Sequence, residues 1–219
     1  SLRYGASVAC CGLTAGMALQ SLDVDAEGAV ENLRLQARAK ADMLQLALSG
    51  SAHKAGTRWS GALDTLGLTP TRGAAWRVRQ PAGYALAGNT FHLDDACLAT
   101  AAGDSLCASA DWPHEGIRVK GNALPLALIE PWLPPNEGRP LRLRGTLDVD
   151  AWLQPRGRAW AGEVHLASPD GGLRIGDKTR DEIVRYDQFS FDATFDPAKI
   201  KARLGSGFKG DGYIDATVA

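Results

Sequence analysis

No stretch of this sequence is long and apolar enough to cross a bilayer as a helix. The longest candidate, Ser7 to Leu19, is broken by Gly12 and Gly16, and about 18 uninterrupted apolar residues are needed. No charged-then-apolar signal peptide opens the chain, no initiator methionine precedes Ser1, and the closing IDATVA reads as an unfinished strand. The expectation is a segment of a larger protein whose targeting and anchoring parts lie elsewhere. Charge of one sign is missing too. The 24 basic and 25 acidic residues are spread along 219 positions for a net charge of −1. Without a basic run, the chain lacks the footprint of a nucleic-acid binder.

Catalytic signatures are equally scarce. There is no G-x-S-x-G elbow and no phosphate-binding loop. His53, His92, His114 and His165 are scattered, with no H-x-x-x-H spacing to hold a metal. His92 and His165 sit beside Asp94 and Glu163 in alternating stretches and read as solvated side chains. The acidic pairs Asp23/Asp25, Asp94/Asp95 and Asp148/Asp150 read as strand exteriors and turns rather than a glycosidase pair. The expectation is a protein that is not an enzyme and uses no cofactor.

Cysteine is rare, with four in the chain. Cys97 and Cys107 flank LATAAGDSL, whose Gly103-Asp104 supplies a turn, so two short arms would face each other. His92 and His114 would complete a formal zinc set, but its spacing matches no zinc knuckle or ribbon. A disulfide is the preferred reading, and it implies an oxidising compartment. Cys10 and Cys11 are adjacent and pair poorly with each other, so their state is left open.

What is present is alternation of period two. In LRLRGTLDVD, Leu141, Leu143, Leu147 and Val149 share one face, with Gly145 in register. Arg142, Arg144, Thr146, Asp148 and Asp150 share the other. The pattern recurs at Leu33 and Leu35, at Leu44, Leu46 and Leu48, and at Phe91 and Leu93. It returns at Ile117 and Val119, at Phe189, Phe191 and Phe195, and at Ile200 and Leu204. With 25 glycines and 11 prolines between the runs, this predicts an all-β, mainly antiparallel chain of about a dozen strands. At ~4.8 Å per strand such a sheet would be roughly 55 Å long.

One stretch departs from alternation. Leu124, Leu128 and Trp132 recur at four-residue spacing, and Pro131, Pro134 and Pro135 confine them to one short amphipathic helix that plugs an end of the sheet. The chain reads as a single segment over 1–219, with an internal sub-boundary at this helix and its proline-rich turn, 121–140. There is also an echo. Trp59-Ser-Gly61-Ala-Leu63 and Trp160-Ala-Gly162-Glu-Val164 share the pattern W-x-G-x-aliphatic, and an inward glycine would leave a dip in the sheet surface.

The order of features from Trp59 to Asp150 resembles the TamB family, the AsmA-like inner-membrane subunits of the bacterial translocation and assembly module. RWSGALDTLGL comes first, then AAWRVRQPAGYAL, the two-cysteine segment, the LPLALIEPWLP helix, and LRLRGTLDVDAWL. The resemblance implies a periplasmic bridge anchored in the inner membrane, with an outer-membrane barrel partner of the TamA kind. It also implies an elongated sheet folded lengthwise into an apolar trough, and roles in phospholipid movement and outer-membrane protein assembly. A closed β-sandwich is the alternative for the same strands. On the trough reading, the lining expected to meet phospholipid acyl chains is Leu33, Leu35, Leu44, Leu46, Leu48, Trp59 and Leu63. Leu141, Leu143, Leu147, Val149, Phe189 and Phe191 continue it.

Overall fold

The computed structural model describes residues 2–8, 19–29, 31–71, 73–133, 138–157, 159–176, 182–208 and 212–218. Cys10, Cys11 and most of the proline-rich turn lie outside the described residues. The chain divides into two compact units. One comprises Ser1–Gly103 with Cys107–Glu115, the other Asp104–Leu106 with Gly116–Ala219.

The first unit carries β1 (Leu2–Val8), β2 (Leu19–Ala29), β3 (Asn32–Ala41), β4 (Leu44–Ala55) and β5 (Arg58–Pro70). After these come β6 (Trp76–Val78), β7 (Ala82–Ala87), β8 (Thr90–Ala99) and, from Cys107 on, β9 (Ser105–Trp112). The second carries β10 (Gly116–Pro125), a short helix (Leu126–Trp132), β11 (Leu141–Arg156), β12 (Ala159–Ile175), β13 (Val184–Asp196), β14 (Lys199–Phe208) and β15 (Gly212–Val218). From β1 to β5, and again from β10 to β15, consecutive strands pair antiparallel and the order follows the chain. Between these runs, β5 is shared by β6 and β7 before both join β8. The all-β expectation holds. The strands are more numerous and longer than their apolar runs suggested, reaching 16 residues in β11 and 17 in β12.

Their length is managed by register shifts. A bulge lies opposite Gly145–Asp148 where β11 meets β12, and another lies at Asp187–Ser190 in β13, where Gln188 takes φ 59°. Each extra residue resets the alternation, so the aliphatic set stays on one face beyond the bulge.

The predicted helix is a single 3-10 segment, and Leu124 belongs to β10 instead. At about three residues per turn, a spacing of four no longer marks one face. The segment lies against the edge of β11. The β10–β11 ladder ends at Pro125–Thr146, leaving the start of β11 without a partner strand on that side. Glu130 takes its place, accepting 2.8 Å from the Leu143 N–H and 3.0 Å from Arg142 Nη1, with its side chain only 11% exposed. Glu130→Ala should cost about 2 kcal/mol, because it orphans the half-buried Leu143 N–H and takes one partner from the Arg142 guanidinium. Faster hydrogen exchange at the Leu143 amide would report it, with Glu130→Gln intermediate.

Candidate functional site: one apolar face per unit

In the first unit, register places Leu22, Val24 and Ala26 of β2 beside Ala39, Ala37 and Leu35 of β3. Leu33, Leu35, Ala37 and Ala39 in turn face Ala52, Gly50, Leu48 and Leu46 of β4. The row continues through Leu63, Leu66 and Leu68 of β5 to Ala82, Tyr84 and Leu86 of β7. The opposite face is charged, with Asp23 across from Arg38 and Glu27 across from Arg34. Opposite charges in directly opposed positions favour this register.

The second unit repeats the arrangement. Ile117, Val119 and Gly121 face Leu153, Ala151 and Val149, which face Gly162, Val164 and Leu166. Those face Phe195, Ala193 and Phe191, and the row closes on Ile200, Ala202 and Leu204. The other side is held by polar cross-strand pairs. Lys120 meets Asp150 at 3.4 Å, Trp152 Nε1 donates to Glu163 at 3.1 Å, and His165 pairs with Asp192. His92 likewise meets Asp94 at 3.1 Å, more than half exposed, as a solvated histidine should.

All thirteen residues expected to form a lining fall on these two faces, and each is half-buried. That intermediate exposure is the decisive property. Among the described residues, the fully apolar core amounts to Ala52, Trp76, Ala82, Ala110 and Ala161, and no large side chain drops below 2% exposure. A sandwich would bury its facing leucines and phenylalanines completely. The chain keeps 14103 Å² accessible at 23.2 kDa. Two separate compact units of half that mass would together keep about 11700 Å². The excess therefore does not depend on how the units are arranged.

The expected dips do not appear. Gly61 and Gly162, the glycines of the two W-x-G-x-aliphatic echoes, lie directly across the ladder from Tyr84 and Phe195. A Cβ on Gly162 would meet the Phe195 ring at 2.6 Å, and one on Gly61 would meet the Tyr84 hydroxyl at 2.8 Å. Gly171 and Tyr186 repeat the device. Each aromatic side chain lies down over the neighbouring glycine and levels the surface. The Tyr186 hydroxyl turns inward to Ser168 at 2.8 Å, and that of Tyr84 donates to the Ser51 carbonyl at 3.1 Å, so neither offers a free polar group to a ligand.

Cys97 and Cys107 form a disulfide, which removes both from the formal zinc set. Among the described residues no group of His, Cys, Asp or Glu is placed to hold a metal.

One charged cluster was not foreseen. Arg144, Gly172 and Arg185 are opposed across β11, β12 and β13 on the charged face. The Glu182 carboxylate lies over Gly172, bonded to Arg144 Nε at 2.6 Å and to Arg185 Nε, while Arg144 Nη1 also reaches Asp170 at 2.6 Å. Hydrogen bonds from Arg144 first and Arg185 next hold the Glu182 carboxyl below its usual 4.5. A lowered carboxyl binds its proton more weakly folded than unfolded. This contribution to stability is therefore complete above pH 4.5 and fades as pH falls through the lower folded value. Exchange protection at the Ile183 amide, which donates 2.8 Å to the Leu173 carbonyl, should weaken over that acid window. In Glu182→Gln it should be low and flat.

No curated protein and no solved structure matches the chain. Among the described residues no helix is long and apolar enough to cross a membrane. Residues 12–219 match the family described as TamB, N-terminal domain, nearly the whole length of the chain. The two-cysteine segment, the short proline-bounded helix and the one-sided strands all fall inside that span. The chain therefore belongs to the TamB N-terminal domain family, and is a periplasmic segment of a TamB-like envelope protein of the translocation and assembly module.

Proposed function

We infer that the apolar faces receive phospholipid acyl chains, within a bridge between inner and outer membranes that serves lipid transport and outer-membrane biogenesis. The observation that carries this reading is the half-exposure of the aliphatic face on each unit. An acyl chain in water exposes apolar surface worth about 0.8 kcal/mol per methylene. A level apolar surface offsets that cost without fixing the lipid, which suits passage rather than storage. In this reading each unit's apolar face is trough lining. In the same reading the full protein is anchored in the inner membrane and meets an outer-membrane barrel partner of the TamA kind through its other parts.

Adjacent residues on opposite faces provide the test. A photoreactive side chain at Leu147 should yield phospholipid adducts in the cell envelope, whereas one at Asp148 should not. Equal labelling at both positions would remove the face from the account.

A second reading is strand addition to outer-membrane protein clients or to the barrel partner, and it draws on the two ends of the sheet order, β1 and β15. Proline at Ile214 in β15 would remove a ladder donor. If that variant loses barrel binding but keeps lipid adducts at Leu147, strand pairing is a separate activity of the chain. Unchanged barrel binding would discard it.

A further inference from the structure

At the hairpin end of the first unit's apolar face, register aligns Lys54, Trp59, Leu86 and Phe91 across β4, β5, β7 and β8. Lys54 shares its side of β4 with Leu44, Leu46, Leu48, Gly50 and Ala52. Across the aligned positions of β2, β3, β4, β5 and β7 among the described residues, it is the one charged side chain on this face. Its ammonium rests 5.4 Å from the centre of the Trp59 ring, and among the described residues no carboxylate pairs with it. Glu31, the acid of the neighbouring turn, gives its backbone carbonyl to the Lys54 N–H at 3.2 Å, and Arg58 adds a second exposed cation at the same end. Leu86, next in the row, is 44% exposed.

We propose that Lys54, held over Trp59, binds the phosphate of a phospholipid whose acyl chains lie along the first unit's apolar face. This rests on the acyl-chain reading above and adds the position and charge of the head group. An indole with a cation beside it, at the boundary of an apolar surface, matches the chemistry of the lipid head-group region. Inward from Lys54, ten residues of β4 extend roughly 33 Å at ~3.3 Å each. One leaflet's acyl chains occupy about 15 Å, half the hydrocarbon thickness of a bilayer, so the strip is long enough. A lysine is a compact point charge on a flexible stem, and it can follow a phosphate through small displacements.

The test uses the full envelope protein and vesicles of phosphatidylglycerol doped with one of two photoreactive probes. The first is phosphatidylglycerol labelled in its acyl chain, and the second is a similarly labelled diacylglycerol, which lacks the phosphate. In Lys54→Glu, adducts with labelled phosphatidylglycerol should fall about tenfold, the scale of one charge-assisted contact, while diacylglycerol adducts stay level. Lys54→Arg should retain the phosphatidylglycerol adducts. An equal loss of both probes, or no loss of either, would overturn the head-group site and leave the acyl-chain reading standing. Failure of both probes on the unaltered protein would instead remove the acyl-chain reading itself.

Discussion

Leu143→Asp and Leu147→Asp, made together, should leave the sheet folded and cut phospholipid adducts at neighbouring Leu166 at least about tenfold. Both side chains are half-buried on the apolar face of β11. A carboxylate there keeps contact with water, so each change should cost about 1–2 kcal/mol, the transfer energy of a partly exposed leucine. In a closed core the same change buries an unpaired charge and costs about 4 kcal/mol or more. The double variant thus separates two physical pictures. A folded protein without adducts supports an open apolar face, and an unfolded one places a closed core there.

The largest stability effect should come from a glycine. Gly145 sits at φ 115°, beside the β12 bulge, and a Cβ would meet the Asp170 carbonyl oxygen and, at 3.0 Å, the Gly171 Cα. Gly145→Ala combines backbone strain with a clash against main chain that cannot yield. It should destabilise by about 3 kcal/mol and loosen the pairing of Leu141 and Leu143 with Ile175 and Leu173. Urea unfolding with exchange at those amides measures it. Gly157 is the control. It also has positive φ, at 66°, but a Cβ there meets nothing within 4 Å, so Gly157→Asn should be close to neutral.

These two experiments draw on different levels of information. The aliphatic face was legible from residue order alone, because Leu141, Leu143, Leu147 and Val149 alternate with charges. A strand with that contrast can only present one greasy side. The Cys97–Cys107 bond was legible from its intervening turn. What escaped was set by cross-strand partners, which no local pattern encodes. Asp170-Gly171-Gly172 has the composition of a turn, yet it lies inside β12, because Tyr186 and Glu182 need two bare positions beneath them. Glu130 looked like one acid in a short helix. Its function depends on where β10 stops relative to β11. Likewise, the dips read at Gly61 and Gly162 are levelled by aromatics more than twenty residues away in sequence.

Lys54 shows the same limit from the other direction. On its own strand it is an ordinary terminal lysine, and only the alignment of β4 with β5 puts its ammonium over an indole at the margin of an apolar surface.

The most direct test of the central claim is native mass spectrometry of the chain purified from a bacterial periplasm, with extraction of bound lipid. Phospholipid should co-purify with the unaltered chain, and the Leu143→Asp, Leu147→Asp double variant should carry less of it, keeping what the first unit's face holds. A lipid-free, compact monomer from the unaltered chain would contradict the claim.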